Sequence, residues 1–154
     1  MADFDFNLLT HSPERLNVIS TRLGAGNTPN DRWDDAEVGK AVKLGPNATH
    51  VHCENGDEIE AIVDNIDSGG TNGGYSFGGV ARGNRGFRVK AVIGANQGAT
   101  AAALGDLVVA DAQVAKGTKG VARVKTGTPV VNKWRILALR GAGTAGTEVI
   151  IELC

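Results

Sequence analysis

The sequence has few of the features that mark several common classes of protein. Its two cysteines, Cys53 and Cys154, are too few for a disulfide framework, so free thiols are expected. Only 4 prolines are present, and the 22 glycines follow no fixed period, which excludes collagen and a disordered linker. No apolar run reaches the roughly 18 residues needed to cross a membrane, and no secretory leader pattern occurs. We expect a chain that stays in the cytosol unless an assembly carries it out.

An excess of charge of one sign is also lacking. The 16 basic and 17 acidic residues leave a net charge of -1. General binding to nucleic acid or to an anionic membrane needs a basic surface, so neither partner is expected. With 154 residues, the chain is long enough to fold as one domain that buries about 70% of its unfolded surface.

The sequence is rich in short β-type runs separated by glycine. Four runs in its last third have the length and the β-branched or aromatic content of strands: 87–93, 120–125, 133–139 and 148–153. Alternate residues of a strand share one face, so Val149 and Ile151 lie opposite Glu148. The run 134–139 is apolar on both faces apart from Arg135, which predicts a central strand.

The middle of the chain extends this β pattern. Residues 36–53 predict a hairpin with a turn at Gly45-Pro46-Asn47. Residues 58–66 fit both helical and strand spacing, and their β-branched content favours a strand. The glycine-rich residues 67–86 predict a flexible hairpin or surface loop, and residues 95–111 the only helical turn. The predicted fold is all-β, a compact antiparallel β-sandwich or barrel-like body of about eight to ten strands.

Residues 1–35 differ from the rest, because apolar side chains are scattered among polar and turn-forming residues. We predict an extended N-terminal arm here, followed by a β-rich domain over residues 36–154. The apolar anchors of the arm are Phe4, Phe6, Leu8, Leu9 and Trp33. Burying one large apolar side chain is worth about 1.5–3 kcal/mol, so we expect the arm to dock on this or a neighbouring subunit. A frayed terminus is the alternative.

Side chains capable of chemistry are present, but they do not form a complete set. His50 and His52 share one strand face at a spacing that metal sites use, yet no second cluster completes a tetrahedral site, so no metal is expected. The acidic residues Asp57, Glu58 and Glu60 could form an acid/base pair, but they are expected on a solvated strand face.

Two glycine-rich stretches, residues 73–86 and 140–146, resemble phosphate-binding loops. The first lacks the following Gly-Lys-Ser/Thr, and the second leads into a strand and not into a helix. Ser68 and Ser76 have no histidine placed to suggest a catalytic triad. We therefore expect no cofactor, and we expect that the chain is not an enzyme.

One class of enzyme remains as an alternative function. The trimeric dUTP pyrophosphatases are also all-β chains of this length with glycine-rich loops. The stretch 73–79 only partly matches their glycine-tyrosine motif, and this chain ends in a predicted strand without their glycine-rich tail. A small trimeric all-β nucleotide hydrolase of this type is the alternative.

The carboxyl half, residues 106–154, resembles the small β-rich head decoration or cement proteins of tailed bacteriophages. Residues 33–45 and 76–83 extend the resemblance. It implies a structural virion protein on the outside of the expanded capsid, made in the host cytoplasm, that stabilises the capsid by bridging subunits. The implied partners are the major capsid protein and further copies of the chain itself, as a trimer or dimer.

Overall fold

The computed structural model describes residues 16–24, 32–72 and 75–154, and these residues form an all-β structure. The strands are β1 Leu16–Leu23, β2 Ala41–Leu44, β3 Thr49–His52, β4 Ala61–Asn72, β5 Tyr75–Gly83, β6 Arg88–Ile93, β7 Leu107–Ala110, β8 Ala122–Thr126, β9 Trp134–Arg140 and β10 Glu148–Leu153. Single 3₁₀ turns lie at Asp35–Glu37, Pro46–Ala48 and Ala95–Gln97. The all-β prediction is confirmed. No helix in the described ranges is long and apolar enough to cross a membrane.

The strands close into two five-stranded barrels that follow each other along the chain. The first barrel has the order β1-β3-β2-β4-β5, and β5 pairs back onto β1. The second has the order β6-β8-β7-β9-β10, and β10 pairs back onto β6. Each contains one parallel pair, β1 with β3 and β6 with β8. The second barrel therefore repeats the strand order of the first.

The repetition extends to the pairing of individual residues. Leu23 pairs with His50 in the first barrel, and Ile93 pairs with Val124 at the same place in the second. The antiparallel hairpins carry the same irregularity, because the pairing skips Asp64 in β4 and Leu137 in β9. A β-bulge of this kind bends the strand and helps a sheet to close. The chain thus contains an internal structural repeat.

A trace of the repeat is visible in the sequence. Residues 36–44 read AEVGKAVKL and residues 102–110 read AALGDLVVA, with alanine, glycine and valine shared at the first, fourth and seventh positions. The shared glycines make the same contact, since Gly39 N–H donates to Val63 O and Gly105 N–H donates to Ile136 O. Three identities over nine residues do not stand out in the sequence, so this repeat was not predicted from it.

The described residues pack around two apolar clusters. The larger one fills the second barrel and continues into the first through Ala41, Cys53, Ile59, Ile62 and Ala81. The smaller one lies within the first barrel and comprises Leu23, Trp33, Val42, Ala61, Val63 and Val80. Because the larger cluster crosses the junction, the two barrels share one core.

The predicted strand faces agree with this interior. In the second barrel the buried residues of the predicted inner faces include Val89, Ala91 and Val149. On the opposite face, Glu152 accepts from Arg88 and Arg135 at 2.7 Å each. These hydrogen bonds, that from Arg135 first, lower the pKa of the Glu152 carboxyl. The wall of the barrel is therefore apolar inside and held by cross-strand ion pairs outside.

The N-terminal boundary differs from the prediction of an arm over residues 1–35. Residues 16–23 form β1, which closes the first barrel between β3 and β5. Trp33 is buried in the smaller cluster of its own chain, which fits docking on this subunit and not on a neighbouring one. The folded body therefore includes β1. The remaining proposed anchors lie outside the described residues: Phe4, Phe6, Leu8 and Leu9.

Three further expectations change. The run 134–139 forms β9, which is not a central strand. A closed barrel has no edge strands, so none of its strands is more central than another. The described residues contain three 3₁₀ turns in place of the single helical turn expected, and residues 107–110 pair as β7. The glycine-rich residues 67–86 contain the predicted hairpin, but it supplies β5 and the end of β4, so it forms barrel wall and not a surface loop. The hairpin at 36–53 and the strand within 58–66 are confirmed.

The loop between β9 and β10 offers a test of the packing. Gly143 has φ of 79°, and a Cβ there would lie 2.0 Å from the carbonyl oxygen of Ala102. Gly146 has φ of 89° but no atom within 4 Å of such a Cβ. Gly146→Ala should therefore cost only backbone strain, about 1–2 kcal/mol. Gly143→Ala should lower the free energy of unfolding by about 2 kcal/mol more, measured by urea denaturation. Equal losses would show that the loop moves aside.

Candidate functional site at the junction of the two barrels

A buried ion pair lies where the barrels meet. Lys40 Nζ is 2.6 Å from Glu37 Oε1, and neither side chain is accessible to solvent. Glu37 ends the 3₁₀ turn Asp35–Glu37, and Asp34 caps that turn by accepting a hydrogen bond from the N–H of Ala36 at 2.8 Å. Lys40 directly precedes β2. The turn and the strand therefore place two opposite charges side by side in the interior.

The other polar atoms of the pair bind residues 111–121, the loop between β7 and β8, which we call the clasp loop. Lys40 Nζ donates to Ala115 O at 3.2 Å. Gly117 N–H donates to Glu37 Oε2 at 3.1 Å. Gln113 accepts a hydrogen bond from Ala41 N–H at 3.1 Å. The ion pair thus fastens a loop of the second barrel onto the first.

The internal repeat shows why only one barrel carries this pair. In the common register, Ala103 and Asp106 of the second barrel correspond to Glu37 and Lys40. Asp106 instead accepts a hydrogen bond from Ala103 N–H in its own turn. The second barrel closes without a buried ion pair at this place. The presence of two buried charges at Glu37 and Lys40 is therefore explained by docking of the clasp loop and not by closure of the barrel.

An aromatic stack lies next to the ion pair. The rings of Trp33 and His52 are parallel to within 12°, and their centroids are 4.2 Å apart. His52 Nε2 is 3.4 Å from Glu37 Oε1. Trp33 and His52 also line an open cleft of about 460 Å³, together with Gly24, Lys43, Pro46, Val51, Glu54 and Lys116. The cleft joins the first barrel to the clasp loop.

The second histidine of the predicted pair has different surroundings. His50 is buried, with Nδ1 2.9 Å from Thr21 Oγ1 and Nε2 3.9 Å from Glu60 Oε1. Burial lowers the pKa of the His50 imidazole and outweighs the opposite effect of the Glu60 carboxylate. The positive charge of Arg82 lowers this pKa further. The two histidines therefore serve separate contacts, and the residues described include no group of three or more His, Cys, Asp or Glu placed to hold a metal ion.

The predicted acidic residues each have a partner. Asp57 Oδ2 is 2.6 Å from Lys43 Nζ. Glu60 accepts a hydrogen bond from Leu44 N–H at 3.0 Å. Glu58 reaches across the junction to backbone N–H groups of the loop between β8 and β9. These acids therefore make intramolecular contacts while their side chains stay partly exposed to solvent, in the loop between β3 and β4.

The contact of Glu58 is the most extensive of the three. Its carboxylate accepts hydrogen bonds from the consecutive N–H groups of Val130, Val131 and Asn132, with 3.0 Å to Asn132 N. The backbone N–H of Asn132, followed by that of Val130, lowers the pKa of the Glu58 carboxyl. Consecutive N–H groups that converge on one anion form a backbone nest. Glu58 is thus a second link between the barrels.

Ser76 lies in a Gly-x-Ser-x-Gly motif, which the sequence analysis overlooked. Residues 74–78 read Gly-Tyr-Ser-Phe-Gly, the letters of a nucleophile elbow. That motif requires a sharp turn from a strand into a helix, whereas Ser76 lies within β5. The buried Ser76 Oγ accepts a hydrogen bond from Trp33 N–H at 2.8 Å. Its role here is to hold the residue that stacks on His52.

Both cysteines are free thiols. Cys53 is buried in the shared core, and its Sγ lies 3.7 Å from Glu58 O. Burial, assisted by the charge of Asp57, raises the pKa of the Cys53 thiol to about 12. Because the thiolate is the reactive form, Cys53 is chemically inert near neutral pH.

Comparisons with protein-family models, with curated proteins and with solved structures returned no match. The resemblance to head decoration proteins therefore rests on the sequence alone. The arrangement at the junction is a set of contacts that join two barrels, and it includes Glu37 and Lys40, which the sequence analysis did not identify. No local pattern marks them, because the loop that they bind is about 75 residues away.

Substitution of Lys40 tests the role of the ion pair. Lys40→Met leaves the carboxylate of Glu37 buried without its cation, so the free energy of unfolding should fall by about 3–5 kcal/mol. The double variant Glu37→Leu, Lys40→Met removes both charges and should recover most of this loss. Urea denaturation followed by tryptophan fluorescence measures both. A double variant no more stable than Lys40→Met would contradict the explanation.

Proposed function

We propose that the chain is a structural virion protein that binds the outside of an expanded phage capsid. There it stabilises the shell by bridging neighbouring major capsid subunits. In this proposal the chain acts by binding and not as an enzyme, and it needs no cofactor or metal. The sequence resemblance to head decoration proteins suggests this class, and the tandem arrangement of two equivalent barrels is the observation that carries it.

A bridging protein needs two contact regions held at a fixed spacing. Two barrels with the same strand order supply two such bodies in one chain. The shared apolar cluster and the pair Glu37–Lys40 hold them together, so the spacing is rigid. A rigid pair of contacts binds a lattice more tightly than either contact alone, because the second contact forms at high effective concentration.

Self-association is part of the proposal. Decoration proteins of the class that the sequence resembles commonly form trimers or dimers, and we expect the same of this chain. Repetition around a symmetry axis would multiply the number of contacts to the shell. Light scattering on the purified chain gives the number of copies directly.

Binding to shells is the direct test of the proposed function. The purified chain should sediment with empty expanded shells of the phage that encodes it, at a fixed ratio to the major capsid protein. The melting temperature of the shells should rise, because a ligand that binds only the assembled state stabilises that state. Absence of binding to shells would overturn the proposal. Turnover of dUTP would instead support the alternative hydrolase.

Truncation of the N-terminal residues tests their expected role in attachment. Deleting residues 2–15 removes Phe4, Phe6, Leu8 and Leu9 but keeps β1. This variant should keep the thermal stability of both barrels and bind shells, or further copies of itself, more weakly. Deleting residues 2–30 removes β1 as well and should unfold the first barrel, because β3 and β5 both lose a partner. Undiminished attachment of the shorter deletion would show that these residues make no contact.

A further inference from the structure

The loop between β8 and β9 presents two adjacent valines to solvent. Val130 is 79% exposed and Val131 is 77% exposed, the highest values among the large apolar residues described. Single exposed apolar residues are common on protein surfaces. Two in succession, both almost fully in water, form an apolar tip, and we refer to Val130 and Val131 by that name.

The apolar tip is held rigidly although it is exposed. Glu58 of the first barrel binds the N–H groups of both valines and of Asn132. Pro129 before the tip and Trp134 after it are buried. The loop is therefore fixed at both ends and in the middle. A preorganised contact loses little conformational entropy on binding, which raises affinity.

The internal repeat indicates that the fold does not require valines here. The corresponding loop of the first barrel, residues 53–60, joins β3 to β4 and carries Glu54, Asp57, Glu58 and Glu60. Its apolar members, Cys53 and Ile59, are buried. One barrel thus closes with acidic residues at this place, so closure does not explain the valines of the other.

The area of the tip is too small for two tips that meet across a two-fold axis to hold a dimer together. A valine side chain has on the order of 100 Å² of apolar surface. Two tips meeting across a two-fold axis would bury on the order of 400 Å², far below the ~1,600 Å² of a stable interface. A small tip inserted into a pocket, beside other contacts, needs no such area.

We propose that the apolar tip inserts into an apolar pocket on the major capsid subunit, with Glu58 as the residue that positions it. This inference rests on the proposed function and names the contact through which it operates. The junction of the two barrels, where the tip is held, then becomes the face of the chain that meets the shell.

The test compares variants of the full chain for binding to expanded shells. Val130→Ser, Val131→Ser should weaken binding on the order of ten- to hundredfold, since two apolar side chains lose their burial. Glu58→Gln keeps the valines but loosens the loop, so it should weaken binding by a smaller factor. Leu104→Ser removes another apolar residue, 65% exposed, and should leave binding unchanged.

The outcomes separate this inference from the proposed function. Failure of the unmodified chain to bind shells would overturn both. Normal binding by the unmodified chain and by the double serine variant would overturn only the role of the tip. A double variant that binds shells normally but loses its oligomeric mass would show that the tip contacts a second copy instead. Val130→Ser alone gives a second readout if the double variant fails to fold.

Discussion

The continuous apolar interior at the junction of the two barrels is the feature on which the remaining structure depends. Trp134 is buried there, edge-on to Phe87 with centroids 5.7 Å apart, and its indole N–H donates to Ile59 O at 3.2 Å across the junction. The side chains of this region are buried, so polar groups that enter it must be paired. The ion pair of Glu37 with Lys40 meets that requirement and fixes the clasp loop.

The internal repeat separates what barrel closure requires from what the individual chain uses for other purposes. The backbone hydrogen bonds of Gly39 in the first barrel and Gly105 in the second are equivalent, so they belong to barrel closure. Glu37 and the apolar tip each occur in one barrel only. The first difference has a structural cause, the clasp loop. Among the residues that the structure describes the second has none, which is why binding to a partner is the explanation that we propose for it.

The alternation of apolar and polar residues predicted the positions of the strands better than the order in which they pair. Alternation identified the inner face of β6 and the charged partners of β10, because the inside of a barrel wall is apolar whatever the strand order. The glycine-rich residues 67–86 were assigned to a flexible hairpin or loop, since glycine disfavours strands. The hairpin is present, and pairing of residues 76–83 with β1 makes its second half a barrel strand in spite of that preference. The prediction of an arm over residues 1–35 was wrong for residues 16–23, because these residues become strand β1 through pairing with β3 and β5.

The all-β class, the hairpin at 36–53 and the residues that face the core could be predicted without a structure, because they follow from side-chain polarity at a spacing of two. Three features became visible only in the folded chain: the strands close into two separate barrels, Lys40 is buried beside Glu37, and Glu58 holds Val130 and Val131. Each of these depends on contacts between segments that are far apart in the chain. No local pattern encodes such contacts, since they arise only when the two barrels pack together.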